Sequence, residues 1–159
     1  MMPNLTNPSS SIETRAQKFM KSFKEKRAHI VAHSFAGIDI RAMINFYDLQ
    51  QNVASLSTLS TPHKGLTLIQ NLQRYPEAQS HLINALRPLG LNDTNYTEFS
   101  RENCQDIHDM IGDSETYTKI SYGARTSPSN LERILRYPSD AIMERDPLEE
   151  NDGITHPRD

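Results

Sequence analysis

The chain has 159 residues, enough for one compact domain with a buried core. Lysine and arginine number 17 against 20 aspartates and glutamates, a formal charge of −3, so the basic surplus that nucleic acid or an anionic membrane surface would require is missing. The hydrophobic share of 36% and the mean hydropathy of −0.65 fit either a small core or, the favoured expectation, a domain lacking some of its buried strands.

Residues 1–9 are rich in Pro, Asn and Ser and are expected to form a disordered tail. This stretch has neither the basic n-region nor the apolar segment of a secretory signal, and no later apolar run approaches the roughly 20 residues of a membrane span. A soluble chain in an intracellular compartment, cytoplasm or mitochondrion, is favoured. Ser10, Ser11, Ile12 and Glu13 read as a capping box, a hydroxyl and a carboxylate satisfying orphan N–H groups. Ile12, Ala16, Phe19, Met20 and Phe23 follow at helical spacing, predicting an amphipathic helix to about Lys26.

Ala28 to His33 (AHIVAH) is too short for a helix and has the apolar middle of a strand covered on both faces. A helix starting near Ser34 presents Ile38, Met43, Ile44 and Tyr47 on one face, and Val53 to Leu59 (VASLSTL) is a second strand, ended by Pro62 and Gly65. Alternation of helix and strand implies right-handed crossovers and a parallel α/β sheet. From about 66 to 112 the pattern is helical, broken at Pro76, Pro88 and Gly90, and reads as an inserted segment. Tyr117 to Tyr122 (YTKISY) is a third strand, and a fourth is expected around Ala141, Ile142 and Met143. Cys104 is the single cysteine, which excludes an internal disulfide and a cysteine-based zinc cluster and reads as an ordinary half-buried thiol.

Ser34 sits where the first strand meets the next helix. A serine hydroxyl becomes nucleophilic only when a base accepts its proton and donors stabilise the oxyanion. A sharp strand-to-helix turn exposes the hydroxyl and aims the next residue's N–H at the developing charge. Such a turn needs small neighbours two residues to either side, here Ala32 and Ala36, with Gly37 beyond. Alanines replace both glycines of the usual G-x-S-x-G, so on the local motif alone a nucleophile and a plain strand-to-helix junction stand about level.

Four ordered segments resemble one family. HIVAHSFAGIDIRA resembles the nucleophile-elbow segment of triacylglycerol lipases and related esterases of the α/β-hydrolase fold. LSTLSTPHKG resembles their next strand and its S-T-P-H-R/K-G turn, and YTKISYGA and ENDG resemble later segments in the same order. The resemblance runs from about Ser11 to Gly153. It implies a partial α/β-hydrolase fold over 10–153, mainly a parallel sheet with flanking helices. The insertion at about 66–112 would be a lid and acyl-binding wall, and 154–159 a divergent tail. It also implies Ser34 as nucleophile, the Phe35 amide as an oxyanion-hole donor and Asp152, in its N-D-G turn, as the triad acid. His63 would be structural, and no cofactor or metal is expected.

The family's first strands, with the second oxyanion donor, have no counterpart before Ser11, and His156 follows Asp152 too closely to span the strand and loop that normally separate acid and base. The chain is therefore expected to be the middle of a lipase, truncated at both ends. Its implied activity is hydrolysis of a lipid or other acyl ester through an acyl-enzyme, with peripheral contact to a lipid surface. The alternative is a non-catalytic lipase-like protein whose exposed sheet edge is covered by a protein partner. A nucleotide-binding domain is set aside, because HSFAGID is neither a P-loop nor G-x-G-x-x-G.

Overall fold

The computed structural model of the protein describes residues 10–23, 27–66, 69, 83–84, 87, 96–111 and 116–124. The expected tail at 1–9, the fourth strand near 141–143 and the 154–159 tail lie outside the described residues. Helix α1 (Ile12–Ser22) begins one residue later than the capping-box register predicts: Ser11 is the N-cap, and its Oγ accepts from the Thr14 amide at 3.3 Å. With Ser11 as cap, the third helical position belongs to Thr14, whose hydroxyl lies 2.9 Å from Ser11 Oγ. Glu13 instead contributes its charge to the first turn, where the helix dipole favours it. The helix stops at Ser22 rather than near Lys26, because Phe23 turns extended.

Strand β1 (Ala28–His33), helix α2 (Ala36–Phe46), a 3₁₀ turn (Gln50–Asn52) and strand β2 (Val53–Leu59) follow in the expected order. A 3₁₀ turn (Tyr96–Phe99), helix α3 (Arg101–Ile111) and strand β3 (Thr118–Tyr122) complete the described elements. The three strands form a parallel sheet in the order β1-β2-β3, with β2 between the others. Its register sets Ala32 beside Thr58 and His33 beside Leu59; Thr58 in turn lies beside Ser121, and Leu59 beside Tyr122.

Helix α2 contributes more of the core than any other element. Ile38, Ile40, Ala42, Met43 and Ile44 are buried, together with Ile12, Ala16 and Phe19 of α1, Val53 and Leu56 of β2, and Cys104 and Ile107 of α3. Cys104 is thus fully buried, not half-buried as its sequence setting suggests. Its thiol faces the Glu98 carbonyl at 3.7 Å. Of the apolar residues in the segment expected to form the lid and acyl-binding wall, Leu66 and Ile69 belong to this core and Ile83 is buried, while Leu68, Leu72, Leu82 and Leu86 lie outside the described residues.

The expectation that β1 is covered on both faces is not met. His29, Val31 and His33 alternate outward and are exposed, Val31 at 69%. Val31 and Ile120 flank Ser57, and Leu59 lies beside Tyr122, so four exposed apolar side chains share this uncovered face. Ile30 and Val31 look alike in the sequence; what separates them is whether another segment packs on their side of the sheet.

Candidate active site

Ser34 follows β1 directly and has a left-handed backbone, φ 55°. For a non-glycine residue this conformation costs on the order of 1–2 kcal/mol, so its surroundings must hold it in place. They do so through three hydrogen bonds: the Ser34 amide donates to the Leu59 carbonyl at 2.9 Å, and its carbonyl accepts from the Gly37 amide at 3.1 Å and from Thr61 Oγ1 at 2.8 Å. The small-residue requirement is strictest one position beyond Ala36. A Cβ on Gly37 would meet Thr61 Oγ1, with Thr61 Cγ2 at 2.6 Å and Cβ at 2.9 Å. Ala32 is buried and Ala36 half-buried.

Phe35 adopts helical dihedrals ahead of α2. Among the described residues nothing accepts a hydrogen bond from its amide, as the geometry of a helix start predicts. Its ring is fixed by stacking on Phe99, centroids 3.8 Å apart. Beneath this pair, Arg15 of α1 grips Asp39 of α2 with two bonds, Nε–Oδ2 at 2.9 Å and Nη2–Oδ1 at 3.0 Å, and reaches Glu98 Oε2 at 3.4 Å. Burial raises Asp39 above the ordinary aspartate range and the Arg15 guanidinium opposes it; the two-pronged pairing is that of an ionised carboxylate. Burial likewise raises Glu98, again against Arg15. These contacts tie the start of α2 to α1 and to the 96–99 turn.

Ser60 repeats the geometry of Ser34 one strand over. It follows β2, has φ 44°, and donates its amide to the Tyr122 carbonyl at 2.8 Å. No helix starts behind it, since Thr61-Pro62 leads into a turn closed by Gly65 N–H to the Pro62 carbonyl at 3.0 Å. The helix N-terminus therefore distinguishes Ser34 as the candidate. Gly65 is required where it stands: its φ is +79°, and a Cβ would lie 2.5 Å from the Ser100 carbonyl oxygen.

The described histidines lie elsewhere. His33 is exposed. His29 Nδ1 is 2.8 Å from Ser55 Oγ, and His63 bonds Thr58 and Arg41. Among the described residues no histidine hydrogen-bonds the Ser34 hydroxyl, and Asp152 and His156 lie outside them. Within the same limit, no group of three His, Cys, Asp or Glu side chains could hold a metal ion, and no helix is long and apolar enough to cross a membrane.

The parallel sheet, its flanking helices and the strand-to-helix turn make this a partial α/β-hydrolase fold. No protein-family model matches the chain, and no curated protein matches it at a significant level. Among solved structures, it is similar to the mature form of the Bacillus licheniformis lipase BlEst2, with a TM-score of 0.65 and 15% identity over 94% of this chain. The chain spans 58% of the length of that lipase. At this identity the likeness establishes the fold.

Proposed function

We propose that the protein is a carboxylic ester hydrolase of the lipase class, acting on a lipid or other acyl ester through Ser34. The observation that carries this is the left-handed Ser34, φ 55°, braced between β1 and α2. Strain of this kind at a strand-to-helix turn is a feature of reactive sites. Ser34 Oγ would attack the ester carbonyl while its proton passes to a base. The tetrahedral oxyanion would accept from the Phe35 amide, and collapse would expel the alcohol, protonated by the same base. Water would then attack the acyl-enzyme by the same route, releasing the acid and restoring the serine. No cofactor enters these steps. Asp152 is proposed as the acid that orients the base, on the strength of its N-D-G setting, and the base itself would come from outside the described residues.

A second reading, a lipase-like scaffold without catalysis, is favoured by one observation: no described histidine bonds Ser34. In that case the uncovered face carrying Val31, Leu59, Ile120 and Tyr122 would serve a protein partner. Fluorophosphonate labelling of the purified chain separates the two, with Ser34→Ala as control and the adduct located by mass spectrometry. Labelling confined to Ser34 is expected for the hydrolase. A folded sample that takes no label would rule it out in favour of the scaffold.

A further inference from the structure

On the helix-covered side of the sheet, between α2, α3 and strands β2 and β3, lies a cavity of about 370 Å³ that neither Ser34 nor Phe35 lines. Its described lining holds three cationic side chains, Arg41, Lys64 and Lys119. Two imidazoles complete the polar wall. Arg41 Nη1 lies 3.0 Å from His63 Nδ1 and Nη2 lies 2.9 Å from His108 Nδ1, so a single guanidinium spans both rings. Nδ1 of His63 can accept from the arginine only if it is bare, which makes that ring neutral in this arrangement. At its other nitrogen His63 meets the Thr58 hydroxyl at 2.9 Å, and that hydroxyl donates onward to Ser121 Oγ at 3.3 Å. His63 therefore carries its hydrogen on Nε2.

The neighbouring wall is apolar, formed by Leu56 and Tyr117. Lys119 Nζ stands 5.9 Å from the centroid of the Tyr117 ring, a cation–π contact that holds the ammonium at this wall. Cations of both kinds, a planar fork and two point charges, thus converge beside apolar surface with the His63 and His108 rings between them. A neutral or cationic guest would gain little from that arrangement. An oxyanion would gain charge-assisted hydrogen bonds and would stabilise the protonated form of the His63 ring.

We propose that this cavity binds a small oxyanion of the carboxylate or phosphate type, its head held by Arg41, Lys64 and Lys119 and any short apolar stem lying against Leu56 and Tyr117. The site is independent of the serine chemistry, since it shares no lining residue with it. The depressed basicity of His63, brought to about 4 by burial and by the Arg41 and His108 charges, supplies a reporter: a bound anion pulls it upward.

The test is a titration of the full chain, with ring nitrogens labelled, using hexanoate, inorganic phosphate and, as the neutral control, hexanol. Saturable movement of the His63 and His108 ring signals by hexanoate or phosphate is expected, with Kd on the order of 1 mM or tighter, while hexanol leaves them in place. Tighter binding of hexanoate would identify an organic acid and tighter binding of phosphate the inorganic ion, and either supports the site. Lys64 and Lys119 are exposed, so Lys64→Gln/Lys119→Gln should fold and weaken binding about tenfold or more. The proposal is overturned if neither anion moves the rings, if hexanol binds as well as hexanoate, or if the folded double variant binds as tightly as the parent chain.

Discussion

Thr61 Oγ1 donates a 2.8 Å hydrogen bond to the carbonyl of Ser34, and the same threonine fills the space where Gly37 lacks a side chain. One residue of the turn after β2 thus both braces the strained serine and dictates a glycine in the first turn of α2. Gly37→Ala is expected to destabilise the fold by about 2–3 kcal/mol through overpacking, despite alanine's better helix propensity. Thr61→Ala alone should cost about 1 kcal/mol for the lost hydrogen bond. In the double variant the clash with Oγ1 and Cγ2 disappears but Cβ remains at 2.9 Å, so urea unfolding should record partial rescue. Strict additivity of the two changes would refute this coupling.

The backbone of Ser34 makes a separate prediction. Glycine reaches positive φ without the Cβ penalty, so Ser34→Gly should relieve about 1 kcal/mol of strain, partly offset by the freer unfolded chain. Ser34→Ala keeps the penalty. Calorimetry should therefore rank Ser34→Gly at or above the parent and Ser34→Ala below it, with both unlabelled by a fluorophosphonate. A clear loss of stability in Ser34→Gly would mean that the φ of 55° is not strained in its setting.

Local patterns made the strands legible. AHIVAH and VASLSTL are β1 and β2 to the residue, and the third strand begins at Thr118, one residue later than expected from YTKISY. Short apolar runs bounded by turn residues carry that information in the chain itself. What the patterns could not carry was the company each face keeps. Val31 is as apolar as Ile30, yet it is exposed, on the face that no described helix covers. The position of Ser34 was likewise legible, but its bracing by Thr61 depends on a partner 27 residues away. Arg15 and Asp39 left a signal that could have been followed, since each is a charge placed among apolar residues on a helix stripe. Their pairing is tertiary. Arg41 and His108 left none: on α2 and α3 they look like ordinary half-exposed polar residues until the fold brings them to His63.

The Arg15–Asp39 pair predicts an asymmetry between breaking and replacing it. Both side chains are nearly inaccessible, at 8% and 6%. Arg15→Met or Asp39→Leu alone strands a buried charge and should cost about 3–5 kcal/mol. The combined Arg15→Met/Asp39→Leu chain should be considerably less destabilised than either single variant, although Glu98 loses a cationic neighbour at 3.4 Å. Denaturant midpoints of the three chains measure this directly; a double variant as unstable as the sum of its parts would mean the pair contributes only packing.

His63 predicts how stability depends on pH. Its folded pKa is lowered to about 4 from an ordinary 6.5, first by burial, then by Arg41 and His108. Unfolding restores the ordinary value. Between these limits the unfolded chain binds more protons than the folded one, so stability must rise with pH. The contribution is fully present above about pH 6.5 and is lost progressively as pH falls toward about 4. For a ring that is partly exposed, screening reduces its size, and about 2 kcal/mol is expected across that window. Asp39 and Glu98, whose pKa values are raised, act in the opposite sense, so the bare profile mixes signs. Subtracting the profile of His63→Gln isolates the histidine. Glutamine can keep a hydrogen bond to Thr58 or Arg41 but does not titrate. The difference between the two chains should therefore grow in favour of His63→Gln as pH drops from 7 to 4. A flat difference would mean that His63 keeps an ordinary pKa in the folded protein, and that Arg41 does not hold it neutral.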